Sequence, residues 1–111
     1  MNATITANTA TYANHMGWSD INPYEIVRVI SEKTIEIKRM NAERDTSVAM
    51  DFVIGGFSAH CTNQHDQKWH ITSDQLANTI RIRLGKNGWK DRGGSRYVLS
   101  TEPEKFYDYN F

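Results

Sequence analysis

The chain has 111 residues, enough for one domain with a hydrophobic core that is real but thin. Thirteen basic residues balance thirteen acidic ones, which argues against a general nucleic-acid coat protein, and 39% apolar with 23% charged residues excludes a disordered chain. The single Cys61 excludes an internal disulfide framework, and no apolar run is long enough to cross a bilayer as a helix. With no apolar leader at the N-terminus, a soluble protein of a reducing compartment is expected. A net charge of zero also removes one barrier to self-association, so a homodimer or larger assembly is expected.

In chain order, Ala3–Thr6 (ATIT) is expected to form an edge strand. PYEIVRVI (23–30) and KTIEIKRM (33–40) are rich in β-branched residues and alternate apolar with charged positions, predicting a hairpin joined at Ser31-Glu32. Residues 41–48 are polar and predict a loop. A strand with Met50, Phe52 and Ile54 on one face follows and ends at Gly55-Gly56. Residues 67–71 predict a short strand that buries Trp69 and Ile71. Ser73-Asp74 with Asn78 marks a turn, or one turn of helix through Gln75-Leu76-Ala77. Residues 79–84 alternate Ile80, Ile82 and Leu84 with Arg81 and Arg83. The Asn-Gly pair at 87–88 marks a tight hairpin turn, with further strands at 89–91 and 96–99. The tail KFYDYNF places Tyr107, Tyr109 and Phe111 at strand spacing, an aromatic terminus suited to pinning against the core or a partner. The expected fold is mainly β: one compact antiparallel sandwich or barrel-like domain over residues 1–111, with at most one short helix.

Residues 55–70, GGFSAHCTNQHDQKWH, depart furthest from sheet patterning, with dense donors and acceptors bracketed by Phe57 and Trp69. This composition suits a pocket that reads a polar ligand. His60, Cys61, His65 and His70 are metal-ligand types, but no CxxC, HxxxH or HExxH spacing joins them, so no metal is expected. Cys61 beside His60 does not make a nucleophile, because neighbours on a strand point to opposite faces; a buried inert thiol is expected. Between residues 79 and 99, Arg81, Arg83, Lys86, Lys90, Arg92 and Arg96 face only Asp91, a local charge of plus five. Arg81 and Arg83 share a strand face that an antiparallel neighbour extends with Lys90 or Arg92. Such a face either binds phosphate through guanidinium forks or is a solvated surface balanced by Glu25, Glu36 or the acidic tail. Trp18, Phe57, Trp69, Trp89 and Phe106 are mostly core residues by expectation, with Phe57, after two glycines, the candidate for stacking on a base.

Residues 17–44, GWSDINPYEIVRVISEKTIEIKRMNAER, resemble the opening of small phage-encoded β-rich proteins: a Trp-Ser-Asp turn, an aromatic-led strand, a second strand and an Ala-x-Arg element. KFYDYNF is similar to the Tyr-Tyr-Asp-x-x-Phe tail of the same group. The family so identified is that of the Thoeris anti-defence sponges, which hold cyclic ADP-ribose immune signals without cleaving them; residues 55–69 depart from its pattern. The resemblance implies a phage anti-defence protein in the cytoplasm of an infected bacterium. It would sequester a cyclic ADP-ribose type or cyclic oligonucleotide signal, with no catalysis and no cofactor. For such a ligand the residue chemistry suggests Phe57 stacking on the base, Arg81 and Arg83 on phosphate, and Asn63 and Gln64 on polar edges, and the resemblance adds Arg44 through the Ala-x-Arg element. The alternative is an inhibitor that binds a host defence protein directly, and a hydrolase is the least expected class.

Overall fold

The computed structural model describes residues 5–55 and 58–110. Ten strands follow one another: β1 (Tyr12–Met16), β2 (Ile21–Asn22), β3 (Tyr24–Ser31), β4 (Thr34–Arg44), β5 (Phe52–Gly55), β6 (Ser58–Cys61), β7 (Trp69–Ser73), β8 (Thr79–Gly85), β9 (Gly88–Lys90) and β10 (Arg96–Ser100). Six of them, in the order β1-β3-β4-β8-β9-β10, form a ring that closes where β10 pairs antiparallel with β1. The result is a closed six-stranded antiparallel barrel with additional strands, 51% strand and 3% helix, in a single domain. The expected mainly β architecture is therefore the one observed, in its barrel form.

Period-2 alternation builds the interior. Ile35 and Ile37 of β4 and Ile82 of β8 are fully buried, and Ala13, Trp89, Tyr97 and Leu99 complete the cluster with Ala7. Cross-strand register explains the grouping: Ile35 lies opposite Ile82, Ile37 opposite the partly buried Ile80, Trp89 opposite Tyr97, and Ala13 opposite Leu99. A small barrel has room inside only for such side chains, so the interior is a packed core rather than a channel. The neighbouring positions Glu36, Arg81, Arg83, Lys90 and Arg96 therefore point outward.

β4 is longer than expected, running on through residues 41–44 where a loop was predicted. Its buried positions step from Ile35 and Ile37 to Met40, a change of phase at Arg39. There β8, which lines Thr34–Lys38, gives way to β7, which lines Met40–Arg44. The polar residues 41–44 are thus a strand outside the barrel, invisible to a hydrophobic pattern because neither face is deeply buried.

Other expectations are corrected at the ends of elements. Ile5 and Thr6 belong to an irregular turn closed by Thr6 and Thr9 rather than an edge strand, and Ala3 and Thr4 lie outside the described residues. The β3–β4 turn is centred on Glu32-Lys33. Residues 75–77 form a hydrogen-bonded turn on Asp74, and the short helical turn lies at Gln64–Asp66 instead. Among the described residues the tail is not a strand: Phe106 alone bridges, to Ile21, and Phe111 lies outside the described residues. Trp18, expected in the core, is 92% exposed.

The tail straps across the outside of the barrel. Asn14, buried on the outer side of β1, donates to the Glu102 carbonyl (3.0 Å) and accepts from the Glu104 amide (2.9 Å). Farther on, Gln67 accepts from the Tyr107 amide and donates to its carbonyl, both at 2.9 Å. Asn110 closes the strap with paired bonds to the Cys61 amide (2.6 Å) and carbonyl (2.9 Å).

Candidate functional site: a basic cleft

β8 and β9 are joined by Lys86-Asn87, and their pairing sets Arg83 opposite Lys90 and Gly85 opposite Gly88. Among the described residues no non-glycine residue has positive φ, whereas Gly88 has φ +99°. The left-handed backbone of this two-residue turn thus falls on Gly88 rather than Asn87, and the ladder on either side stays in regular register, with Leu84 opposite Trp89. A cleft of about 660 Å³ opens there, lined by Arg81, Arg83, Leu84, Lys86, Lys90 and Arg92 together with the turn and Asp91.

The cleft gathers five of the chain's thirteen basic residues and one of its thirteen acidic ones, so the remaining eight and twelve leave the rest of the molecule net acidic. That single acid is occupied. Asp91 accepts the Ser95 amide (3.0 Å) and the Tyr97 hydroxyl (2.9 Å), which hold its carboxylate against the β9–β10 turn. Burial, with that hydrogen bond to Asp91, raises the Tyr97 phenol above its ordinary range, keeping it a neutral donor. Arg81 is partly neutralised by Glu36 (3.9 Å), a carboxylate it shares with Arg28 (3.5 Å). Glu25, another suggested counter-charge, accepts instead from the Ser73 hydroxyl (2.7 Å). Among the described residues no carboxylate lies within 4.0 Å of Arg83, Lys86, Lys90 or Arg92.

Like charges set directly opposite each other on adjacent strands repel. Arg83 against Lys90 is such a pair, and Lys90 against Arg96 of β10 is a second. An arrangement that costs stability in the free chain and concentrates guanidinium and ammonium donors is chemically suited to an anion. Leu84 and the aliphatic stems of the arginines and lysines supply an apolar floor.

Of the residues singled out from sequence, only Arg81 and Arg83 come together here. Arg44 stands opposite Trp69, eight residues beyond the β4 position paired with Arg81, or about 26 Å of strand. Asn63 accepts the Asp51 amide (2.6 Å) and donates to the Ala49 carbonyl (2.8 Å), bracing the ends of the β5–β6 hairpin. Gln64 accepts the Tyr109 amide (3.0 Å). The polar segment that looked like a ligand reader thus devotes these amides to holding backbone. Phe57 lies outside the described residues. Cys61 is buried with its thiol 3.7 Å from the Asn63 carbonyl oxygen, and His60 is exposed. Among the described residues no group of three or more His, Cys, Asp and Glu is placed to hold a metal ion.

Lys86 was visible in the sequence only as local charge, whereas Lys90 or Arg92 was expected beside Arg81 and Arg83 on a neighbouring strand. The hairpin register sharpens them: once Lys86-Asn87 is the turn, Arg83 must face Lys90. No family model, curated protein or solved structure matches the chain.

Proposed function

We propose that the chain is a non-catalytic receptor for a phosphate-bearing nucleotide, held in the β8–β9 cleft and released unchanged. The ligand class implied by the sponge resemblance is a cyclic ADP-ribose or cyclic oligonucleotide signal. Its biological role would then be sequestration of that signal in a phage-infected bacterium. The observation that carries the reading is the set of five cations around one cleft whose only carboxylate is already hydrogen-bonded. A volume of about 660 Å³ falls in the range of small-molecule sites.

In this reading Arg83, Lys90 and Arg92 take the phosphates, with Arg81 adding a donor that Glu36 partly screens. Because no aromatic ring lines the cleft, the base stacks on a guanidinium plane, a surface that arginine provides and lysine does not. Binding at this shallow, single-chain site is helped if a second copy covers it, and the proposed homo-oligomer has that role.

The test is thermal unfolding of the purified protein against cyclic ADP-ribose isomers, cyclic oligonucleotides and inorganic pyrophosphate. A ligand at a hundred times its dissociation constant adds about 2.7 kcal/mol of stability. Arg83→Ala is expected to weaken binding by about 1.5–3 kcal/mol, the worth of a hydrogen bond to a charged group, or roughly ten- to a hundredfold. A bound compound recovered intact after denaturation supports a sponge, whereas a cleaved product makes the protein an enzyme. If no phosphorylated compound shifts the transition, the reading fails. The half-exposed Phe52 and Val53 on the β5–β6 hairpin are then the surface on which to seek a protein partner.

A further inference from the structure

The basic face does not stop at the cleft. Lys90 stands between Arg83 of β8 and Arg96 of β10, and Arg96 stands opposite Met16 of β1. These four residues form one line across the outside of four adjacent strands, three strand spacings or about 14 Å long. Among the described residues Arg96, like Arg83 and Lys90, has no carboxylate within 4.0 Å.

Two residues beyond Met16, where the line ends, the chain carries an exposed tryptophan. β1 stops at Met16, and the chain reverses through Gly17-Trp18-Ser19-Asp20, closed by the Gly17 amide on the Asp20 carbonyl (2.9 Å). The turn holds Trp18 92% exposed, so its indole buries almost nothing in the free protein. Trp89, by contrast, is a core residue, and Trp69 is half-buried.

We propose that this line is a track for a short single-stranded oligonucleotide, with phosphates on Arg83, Lys90 and Arg96 and one base stacked on Trp18. A repeating anion matches a row of one sign, and a flat ring matches a free indole; single-stranded nucleic acid offers both together. An acidic peptide would satisfy the cations and leave the indole in water. A duplex would hide the faces of its bases. The net acidic remainder of the surface repels a long polyanion, which limits the ligand to a few nucleotides. The track rests on the cleft reading, because it shares Arg83 and Lys90 with it, and it adds Arg96 and Trp18.

The experiment is a titration with 5′-phosphorylated oligothymidylates of one to six nucleotides, followed by tryptophan fluorescence and by anisotropy of a labelled tetramer. Inorganic pyrophosphate probes the cleft alone, and polyglutamate controls for charge. Affinity is expected to rise with length up to about four nucleotides. Trp18→Ala, at an exposed site where folding is unaffected, is expected to weaken the tetramer about five- to a hundredfold, as loss of one stacked base does. The same variant leaves pyrophosphate binding unchanged. With three phosphates neutralised, the logarithm of the binding constant falls with the logarithm of salt concentration at a slope of about −2.

If Trp18→Ala leaves tetramer binding unchanged, or if polyglutamate binds as tightly, the track is overturned while the cleft reading stands. If pyrophosphate does not bind and the tetramer still depends on Trp18 and Arg96, the cleft reading is overturned and the track is supported.

Discussion

Asp91 determines how strongly the cleft is charged. Its carboxylate is the one acid lining the cleft, and the Ser95 amide and the Tyr97 hydroxyl direct hydrogen bonds at its two oxygens. Tyr97 is itself held by the barrel, 4% exposed and edge-on to Tyr24 and His15 at 5.3 Å from each. Burial first, and then the Asp91 hydrogen bond, raises the phenol from its ordinary 10.0. A group whose folded-state pKa is raised stabilises the fold fully below the unfolded value and loses that contribution as pH rises. Stability is therefore expected to be independent of this group below about pH 10 and to fall above it. Tyr97→Phe should flatten that alkaline limb, measured by denaturant midpoints at several pH values, and should free Asp91 to weaken anion binding. The amides of Asn63, Gln64, Gln67 and Asn110 follow the same logic elsewhere. Asn63, Gln64 and Gln67 satisfy main-chain groups of irregular segments, and Asn110 those of Cys61 at the end of β6, which is how a loop-rich surface avoids orphaned donors and acceptors.

The β8–β9 hairpin brings the cleft cations together, and β10 extends the row. The register of β8 with β9 and of β9 with β10 places Arg83, Lys90 and Arg96 side by side. Replacing the middle cation with an anion turns two repelling pairs into two attracting ones. Lys90→Glu is thus expected to stabilise the free protein, by about 0.2–1 kcal/mol for each of the two pairs. The same change should abolish binding of pyrophosphate or nucleotide. Denaturation and binding measured on the same preparation check both halves, and a variant that is both less stable and fully active would refute the assignment. Hairpins of this kind were legible from sequence because Ile35 and Ile37 on β4, and Ile80 and Ile82 on β8, alternate with charge against a one-sided core. β1 was not legible: its buried residues Ala13 and Asn14 are small or polar, and Asn14 is covered by the C-terminal strap rather than by the barrel interior. Residues 41–44 were not legible because they bury no apolar face, with Ala42 alone half-buried among them. In residues 55–70 the side-chain amides of Asn63, Gln64 and Gln67 are engaged by the chain's own backbone. Composition reports how many hydrogen bonds a segment can make, not whether its partners are a ligand or its own chain.

At the scale of the whole molecule, a formally neutral chain is divided into a basic end and a net acidic remainder. Net charge alone concealed this division, which was visible only as the basic run between residues 79 and 99. The ring has a further consequence, for the order of events in folding. Its seam joins residues 12–16 to residues 96–100, and the strap ties Asn14 to Glu102 and Glu104. The first strand to leave the ribosome therefore waits for the last before the barrel can close, exposing two unpaired edges throughout synthesis. Contacts so distant in sequence make closure entropically costly, and refolding from denaturant is expected in the millisecond-to-second range typical of β-barrels. Stopped-flow fluorescence of Trp89, with the other two tryptophans replaced by phenylalanine, measures it; a microsecond phase carrying the full amplitude would contradict it. The nascent chain is accordingly most prone to misassembly just before its final strand is added, and any agent that binds β1 in that interval competes with the seam itself.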